Sequence, residues 1–372
     1  MRPVKTGHLW RRQLSDFTSL TVVFAAGSIY DRSDRKGVSH LMEHLISKVL
    51  DKYEDKFTRE CIDNNAVTNF DYVYFYFRGL ASVLTPEFKH ELVDQLVHHA
   101  FDNITEEEFE LEKQVVLQEI TDAYDDPFLG NLQNIYYRYY NQVEPGGFPD
   151  HVKEFTFEEA KQMYLDKFTK PLRIVEVNHY RTDFSDIECL QKAPCKLPIS
   201  FKKTKKQIMP AVKGEKAQIF ALCPKIVKST DYQYMSIAFH MLLDGFKSPI
   251  MQELRVKRGL TYDVSYNLEQ IQNHSIAWLY MMTDQKNVEV SVNLLKHMCK
   301  NIREYLTEDR FKLIIEYLEN KRKIWKYFQW KDPERFIHLE HAQLPIHFNH
   351  ITYEDLVCIV ERYLYDIEFV IC

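Results

Sequence analysis

Two histidines one helical turn apart, with a glutamate between them, are the residues of this sequence best suited to chemistry. They are His40 and His44 with Glu43, in the segment Gly37 to Leu45. Residues four apart on a helix share a face, so both imidazoles can converge on one ion while Glu43 projects beside them. Neutral imidazoles bind zinc, and a carboxylate that is not a ligand can take the proton from a zinc-bound water. The pattern His-x-x-Glu-His therefore predicts a metal site that needs a third ligand.

A short motif in a chain with 15 histidines also fits a surface helix with two polar histidines. A third ligand would favour the metal site, because a catalytic zinc keeps three protein ligands and one open position. The capping box Thr105-x-x-Glu108 predicts the start of a glutamate-rich helix over about 106–124. Glu119 on this helix is a plausible ligand. Glu112 lies two turns earlier on the same face and is the candidate for a group that orients the ligands or handles protons.

Length and composition indicate an ordinary globular protein. The 372 residues suffice for two domains, with 45% hydrophobic and 27% charged residues. The net charge of −6 argues against nucleic-acid binding, and the one basic run, Lys202–Lys206, is short. No apolar run is long enough to span a bilayer, and no secretory signal follows Met1. Seven scattered cysteines without Cys-x-x-Cys spacing indicate reduced thiols. We expect a cytoplasmic protein without nucleic-acid or membrane partners.

The order of the predicted elements repeats in the second half of the chain. The first half contains predicted strands at 20–24, 66–77 and 172–177, and predicted helices at about 37–50, 86–101, 106–124 and 156–168. Thr307 opens a long helix as Thr105 does, and Thr352 opens another as Thr156 does. This repetition predicts an α+β fold with two homologous-looking domains, each a mainly antiparallel sheet with helices packed on one face.

The predicted domain boundaries follow from this repetition. Residues 1–190 form the catalytic zinc-binding domain, 191–206 a linker, and 207–372 a second domain. Where the first domain has its metal helix, we expect the second to have Ser248–Arg255, which contains no pair of metal ligands. One domain would then perform the chemistry while the other helps to hold the substrate.

Four segments together resemble the pitrilysin family of inverted zinc metallopeptidases, the family of insulin-degrading enzyme and the mitochondrial processing peptidase. These segments are Gly37–His44, Asn65–Thr68, the Glu112 and Glu119 pair with Asp126-Pro127 beyond it, and Leu254–Tyr262. They occur in the family's order and span most of the chain. The sequence thus has the motifs of a short, two-domain member.

The resemblance implies a role for each matching residue of the metal centre. His40, His44 and Glu119 would bind one zinc ion per chain, Glu43 would be the general base, and Glu112 would assist. Two histidines and one glutamate would then leave one coordination position open, whereas structural zinc sites are closed and rich in thiolates. A purely structural zinc site is therefore the less favoured alternative.

The resemblance also implies how a substrate is held. Asn65 and Ala66 would lie on a strand edge that pairs with the bound peptide, which allows an enzyme to hold varied sequences through their backbone. Arg255 and Tyr262 would reach the substrate carbonyl and donate hydrogen bonds to the oxyanion. Without the resemblance, Arg255 fits a surface residue before a turn and Tyr262 a core residue of a strand.

The sequence predicts a zinc-dependent endopeptidase that acts on peptides or unfolded segments. The alternative is a catalytically inactive scaffold or peptide-binding subunit of the same fold. One segment, Ser47–Lys56, departs from the family pattern, which leaves the local loop and the substrate specificity open. With only two α+β units, one chain supplies half of the four-unit chamber of larger relatives. We therefore expect a homodimer in which Arg255 and Tyr262 of one subunit complete the zinc site of the other.

Overall fold

The chain divides into two compact units. The computed structural model describes residues 7–12, 16–178, 181–190, 199–202, 216–331, 348 and 350–372. The described residues of unit 1 come from 7–133, 142–190 and 324–331, and those of unit 2 from 134–141, 199–323, 348 and 350–372. Of the predicted linker 191–206, all but 199–202 lies outside the described residues.

Two segments depart from the predicted division into consecutive domains. Residues 134–141 belong to unit 2, where Tyr136 and Tyr140 are almost fully buried. The Tyr136 hydroxyl accepts a hydrogen bond from the Trp278 indole at 3.1 Å, and the Tyr140 hydroxyl donates to the Cys223 carbonyl at 3.0 Å. Conversely, Trp325 packs in unit 1 against Val175. Large aromatic side chains are stabilised by burial in a hydrophobic core. Tyr136 and Tyr140 are buried in unit 2 and Trp325 in unit 1, although each lies in the other half of the sequence.

Unit 1 is built on a five-stranded sheet in the order β1-β5-β2-β4-β3. Its strands are β1 Gly7–Arg12, β2 Phe17–Phe24, β3 Asp63–Thr68, β4 Val73–Leu80 and β5 Arg173–Asn178. The β1 and β5 pair is parallel, and the other pairs are antiparallel. Because β3 pairs only with β4 among the described strands, its outer edge can accept another strand.

The helices of unit 1 cover one face of this sheet. They are α1 Val38–Ser47, α2 Glu54–Glu60, α3 Pro86–Asp94, α4 Glu106–Asp125, α6 Pro149–Lys153 and α7 Phe157–Lys167. A further helix, α5 Pro127–Ile135, begins in unit 1 and ends in unit 2. Successive side chains of β2 point to opposite faces of the sheet. Val22 and Phe24 point to the helix-covered face and pack with Leu41 of α1, whereas Val23 belongs to a separate cluster. Capping boxes at Thr105 and Thr156 start α4 and α7, as predicted.

The predicted strand at 66–77 is wrong, because the structure has a hairpin there. Residues 69–72 form the turn between β3 and β4, and the Asn69 N–H donates to the Tyr72 carbonyl at 2.7 Å. The Asn69 and Phe70 carbonyls accept hydrogen bonds from Ser28 and Ile29. Asn and Asp favour turns through local hydrogen bonds, but the aromatic residues around them conceal this turn in the sequence. The hairpin makes β3 an edge strand beside α1.

Unit 2 repeats this architecture with a second five-stranded sheet. The order is β10-β6-β9-β7, and β8 also pairs with β9. The strands are β6 Lys216–Leu222, β7 Val227–Lys228, β8 Val264–Ile271, β9 His274–Asp284 and β10 Glu368–Ile371. The helices are α8 Tyr232–Leu243, α9 Pro249–Met251, α10 Val288–Lys300, α11 Ile302–Tyr305, α12 Glu308–Trp325 and α13 Tyr353–Leu364.

The α+β prediction of two similar, mainly antiparallel units is therefore confirmed. In both units a central strand leads into a helix, a hairpin follows, and a long helix and a last strand complete the sheet. Among the described residues no helix combines enough length with enough apolar character to cross a membrane.

The start of α1 is fixed by a close contact between two glycines. Gly37 precedes the helix with φ 101°, and Gly147 lies against it with φ 73°. A Cβ on Gly147 would overlap the backbone of Gly37 and the Lys36 carbonyl, and a Cβ on Gly37 would lie 2.5 Å from the Gly146 carbonyl oxygen. The Pro145-Gly146-Gly147 break in the sequence thus allows the backbone to approach the metal helix.

We predict that Gly147→Ala destabilises unit 1 by roughly 2–4 kcal/mol, from the left-handed backbone conformation and the overlap with Gly37. Thermal and urea unfolding followed by circular dichroism measure this loss. Gly7→Ala is the matched control, because Gly7 also has a positive φ of 89° but a Cβ there would have no described neighbour within 4 Å. Equal losses for both variants would show that the contact with Gly37 contributes nothing.

Candidate metal centre

The side chains of His40, His44 and Glu119 converge between α1 and α4. The Glu119 Oε2 atom lies 3.4 Å from His40 Nε2 and 3.5 Å from His44 Nε2. The ligand atoms of all three residues lie within 4.8 Å of one another. Within the described part of the chain, no other group of three histidine, cysteine or acidic side chains meets this condition.

The two separations that involve Glu119 fit a tetrahedral zinc site. Ligand atoms about 2.0–2.1 Å from zinc, at tetrahedral angles, lie about 3.3–3.4 Å apart. Both separations are close to this value and are longer than a good hydrogen bond between nitrogen and oxygen. Two nitrogens and one carboxylate oxygen are the donors of a catalytic zinc, and the set leaves a fourth position for water or substrate.

The environment of His40 keeps its imidazole in the form that binds a metal. Burial, helped by the neighbouring His44, lowers the pKa of His40 to about 4. The two rings stand nearly perpendicular, with their centroids 4.9 Å apart. His40 Nδ1 is buried and has no hydrogen-bond partner among the described residues, so this ring is oriented by packing. A neutral imidazole is the form that ligates zinc.

Glu43 lies beside the three candidate ligands and is nearly buried, at 9% exposure. Burial raises the pKa of its carboxyl, while His44 and a hydrogen bond from Thr68 act in the opposite direction. The Thr68 hydroxyl donates to Glu43 Oε2 at 3.1 Å. A carboxylate with a raised pKa is closer to the strength that a general base needs near neutral pH.

Glu112 contacts the same centre from one side. Its Oε2 lies 3.5 Å from His44 Nδ1, and its Oε1 lies 3.3 Å from the Lys48 ammonium. Glu112 is therefore placed to orient His44 rather than to complete the ligand triad. Lys48 belongs to the short 3₁₀ turn Lys48–Tyr53 that continues α1.

The candidate substrate residues Asn65 and Ala66 lie on the edge strand β3. Asn65 is exposed, and its side-chain oxygen accepts a hydrogen bond from the Ala66 N–H at 2.9 Å. Ala66 and Thr68 lie on the same face of β3, and the Thr68 hydroxyl donates to Glu43. The edge strand therefore leads from the candidate substrate residues to Glu43.

The partly buried Arg255 and the exposed Tyr262 form a small cluster in unit 2. The Arg255 guanidinium lies 4.3 Å from the centre of the Tyr262 ring and 4.8 Å from that of Phe246. Tyr262 is 81% exposed, so it is a surface residue and the alternative of a core tyrosine does not hold. The cluster offers a guanidinium and a phenol to solvent.

In unit 2, α8 takes the place of the metal helix, instead of the expected segment Ser248–Arg255. Like α1, it lies between the central strand and the hairpin, and it contacts the hairpin through Tyr266 of β8. His240 and Asp244 have the i, i+4 spacing of His40 and His44, and His240 Nδ1 lies 2.6 Å from Asp244.

The long helix α12 then carries Arg310 and Tyr317 with the i, i+7 spacing of Glu112 and Glu119. Arg310 donates to the backbone carbonyls of Met241 and Asp244, and the Tyr317 ring centre lies 6.2 Å from that of His240. The described residues of unit 2 bring no third donor to His240 and Asp244, so they form no group of three potential ligands there.

Two residues of the centre, Thr68 and Lys48, are not predicted from the sequence. Thr68 has a weak signal: it lies two residues after Ala66 and so shares its face in any β-strand, but nothing in the sequence pairs it with Glu43. Lys48 lies one helical turn beyond His44, in the segment that departs from the family pattern. Its spacing from His44 is therefore the one sequence feature that could have placed it near the centre.

Two family models match the chain. The model "Insulinase (Peptidase family M16)" matches residues 10–145, which include the three candidate ligands. The model "Peptidase M16 inactive domain" matches residues 152–318, which include most of unit 2. The two models thus follow the chain in the order of its two units.

Known proteins agree with this pattern. An uncharacterized zinc protease of Rickettsia bellii (strain RML369-C) is 24% identical over 321 residues, which cover 78% of this chain and 74% of the relative. A protease from Helicobacter pylori has the same fold, with a TM-score of 0.77 at 17% identity, covering 100% of this chain and 98% of the other. A peptidase M16 inactive domain from Pseudomonas fluorescens has a TM-score of 0.76 at 17% identity, covering 98% and 94% of the chains. With both models and the duplicated fold in agreement, the chain belongs to the M16, or pitrilysin, family of peptidases.

Proposed function

We propose that the chain is a zinc-dependent endopeptidase that hydrolyses peptide bonds in peptides or unfolded segments. One observation carries this proposal: the ligand atoms of His40, His44 and Glu119 converge within 4.8 Å of one another, beside the nearly buried carboxylate of Glu43. Both separations between Glu119 and a histidine nitrogen are close to those of a tetrahedral zinc site. Membership of a peptidase family supports the reaction class.

Each residue of the centre has a distinct part in this reaction. When bound, zinc lowers the pKa of a coordinated water to about 7 and polarises the substrate carbonyl. Glu43 takes the proton of the attacking water and can pass it to the leaving amine, because it is close to the ligands without being one. Thr68 holds the Glu43 carboxylate through its hydroxyl, and Glu112 orients His44.

The edge of β3 is the proposed place for the peptide backbone. A segment paired with this edge would be held through main-chain hydrogen bonds and so accepted with varied sequences. The Ala66 N–H now donates to the Asn65 side-chain oxygen, and it would donate to a carbonyl of the bound peptide instead. This arrangement suits extended or unfolded substrates, since a folded segment cannot add a strand.

An inactive peptide-binding subunit is the second candidate, and the match of residues 152–318 to an inactive-domain model is the observation that favours it. That match falls largely on unit 2, whose described residues contain no group of three potential metal ligands, whereas unit 1 contains one. The alternative shares the metal site and the strand edge but predicts no turnover.

We predict one zinc per chain, lost in His40→Ala and Glu119→Gln but retained in Glu43→Gln and in the matched control Glu112→Gln. The reason is that only the first two substitutions remove a donor of the triad. Inductively coupled plasma mass spectrometry measures the zinc content. Glu43→Gln should also lower kcat on a quenched peptide by at least about 100-fold, since general base catalysis contributes 10²–10⁴-fold.

Several results would contradict parts of this assignment. Zinc bound by Glu119→Gln but not by Glu112→Gln would make Glu112 the third ligand. Zinc lost from Glu43→Gln would make Glu43 a ligand and not a base. A zinc-loaded wild type that cleaves none of a varied set of unfolded peptides would favour the inactive scaffold.

We predict that Thr68→Val lowers kcat about tenfold with little change in KM, because the valine keeps the shape but removes the donor to Glu43. Thr68→Ser retains the hydroxyl and should restore most of kcat. Steady-state kinetics with the quenched peptide separate the two constants, while zinc content should stay at the wild-type value. A loss of similar size in both variants would indicate a packing role for the threonine methyl group.

We also propose that the active form is a homodimer with shared sites. Arg255 and Tyr262 offer a guanidinium and a phenol to solvent in unit 2, and both groups can stabilise the oxyanion. In four-unit relatives the matching residues face the metal from the opposite half of the chamber, as the family resemblance implies. A second copy of this chain would supply that half through an isologous interface.

A mixing experiment tests the shared site. Glu43→Gln and Arg255→Ala proteins should each be weakly active, and their mixture should regain activity because one site per heterodimer contains both intact groups. With random exchange, about half of the dimers are mixed, so activity should approach roughly one quarter of the wild-type value per subunit. Light scattering gives the oligomeric state and labelled subunits report exchange. Shared sites would be excluded if the mixture, after complete exchange, showed only the average activity of its parents, or if the active enzyme were a monomer. Tyr262→Phe protein can be mixed with Glu43→Gln protein as a second test.

A further inference from the structure

A cavity of about 540 Å³ lies next to the metal centre within unit 1. It is lined by the end of α1, the 3₁₀ turn that follows, α2 and the edge strand β3. Leu50, Phe57, Ile62 and Phe75 supply its apolar surface, and all four are largely buried. The segment Ser47–Lys56, which departs from the family pattern, thus builds one wall of this cavity.

Two residues connect the cavity to Glu43. Ser47 lines the cavity and donates its hydroxyl to the Glu43 carbonyl at 2.8 Å. On the opposite side, Ala66 lines the cavity and lies two residues before Thr68, whose hydroxyl binds the Glu43 carboxylate. Two residues of a strand span about 7 Å. A peptide that pairs with β3 and presents a carbonyl near Glu43 would therefore place an adjacent side chain over the cavity.

The charged side chains of the cavity carry one sign of charge. Asp51, Glu54 and Asp63 line it, while none of its described lining residues is a lysine, arginine or histidine. Lys48 lies 3.2 Å from Asp51 but is shared with Glu112, and Arg78 lies 3.4 Å from Asp63. The two cations thus pair with three carboxylates, and neither of them pairs with Glu54.

Glu54 is the carboxylate left for a ligand. Among the described residues it forms no ion pair, and it is exposed at the opening. The lysines nearest in sequence are engaged elsewhere: Lys52 donates to Gln95, and the Lys56 ammonium lies 3.4 Å from the centre of the Phe88 ring. Both contacts are with the α3 region, which does not line the cavity.

We propose that this cavity binds a lysine or arginine side chain of the substrate, next to the scissile bond, with Glu54 as the residue that selects for its charge. The aliphatic stem would lie on Leu50 and Phe57 while the cationic end reaches Glu54 and Asp51, in the manner of long basic side chains on apolar surfaces. This inference rests on the proposed endopeptidase function and adds the class of substrate. The apolar wall and the acidic opening together distinguish a basic side chain from an acidic or a short polar one.

The test uses quenched peptides that differ only in the residue next to the cleaved bond, which mass spectrometry identifies. Lysine, norleucine and glutamate are compared, because norleucine keeps the stem of lysine without its charge. In the wild type, kcat/KM should be at least roughly threefold higher for lysine than for norleucine, and lowest for glutamate, as expected for one or two partly exposed ion pairs. Glu54→Gln should reduce the ratio of lysine to norleucine towards one.

A charge reversal and a neighbouring control make the test specific. Glu54→Lys should reverse the order, so that the glutamate peptide is cleaved faster than the lysine peptide. Asp55→Asn removes a carboxylate from the next position of α2, which does not line the cavity, and should keep the wild-type ratio. Equal kcat/KM for lysine and norleucine in the wild type, or an unchanged order in Glu54→Lys, would overturn the proposal.

Binding measurements separate this proposal from the endopeptidase function. If zinc-loaded wild type cleaves none of the peptides, the proposed function fails, but fluorescence anisotropy of the same labelled peptides still reports the cavity. The lysine peptide should bind at least about threefold more tightly than the norleucine peptide to Glu43→Gln protein, and this difference should disappear when Glu54→Gln is added. Equal affinities would overturn the cavity assignment whether or not the chain is an enzyme.

Discussion

The positions of His40, Glu43 and His44 depend on one buried carboxylate, that of Asp31. Its Oδ2 accepts hydrogen bonds from the Gly37 N–H at 3.0 Å and the Ser39 N–H at 3.4 Å, and its Oδ1 accepts one from the Ser39 hydroxyl at 2.5 Å. The first N–H groups of a helix have no partner within it, so a carboxylate satisfies them and complements the helix dipole. Burial raises the pKa of Asp31, opposed by these bonds and by Lys167. This clamp and the Gly37–Gly147 contact fix where α1 begins, and the helical period then directs His40, Glu43 and His44 towards α4.

The charges of the centre explain why a divalent cation suits it. Glu119 and Glu112 face two histidines, and burial keeps at least His40 neutral at physiological pH. Lys48 is the cation in contact with this set among the described residues. A divalent ion between His40, His44 and Glu119 would offset the carboxylate charge and use the nitrogen lone pairs that hydrogen bonds leave free.

Local periodicity made part of the centre predictable from sequence. The i, i+4 spacing of His40 and His44 and the capping box at Thr105 depend only on helix geometry, so the sequence identified the groups that the structure brings together. Thr68 depends instead on a hairpin turn hidden among aromatic residues, and its contact with Glu43 arises from packing between α1 and β3. The burial of Tyr136 in unit 2 is likewise a matter of tertiary structure. A run of aromatic residues such as Tyr136–Tyr140 indicates that a segment is buried, but it does not indicate which of two cores the segment joins.

Unit 2 shows what the fold requires and what it does not. Its helices α8 and α12 are linked by Arg310, which donates to the carbonyls of Met241 and Asp244. Hydrogen bonds from Arg310 therefore join the helices that correspond to α1 and α4. In unit 1 the same architecture has a capped helix start and an apolar core that includes Leu41, Leu45 and Val116, so apolar packing holds α1 against α4. The convergence of His40, His44 and Glu119 is what distinguishes unit 1 among the described residues, and it fits the metal-binding role proposed for these three side chains.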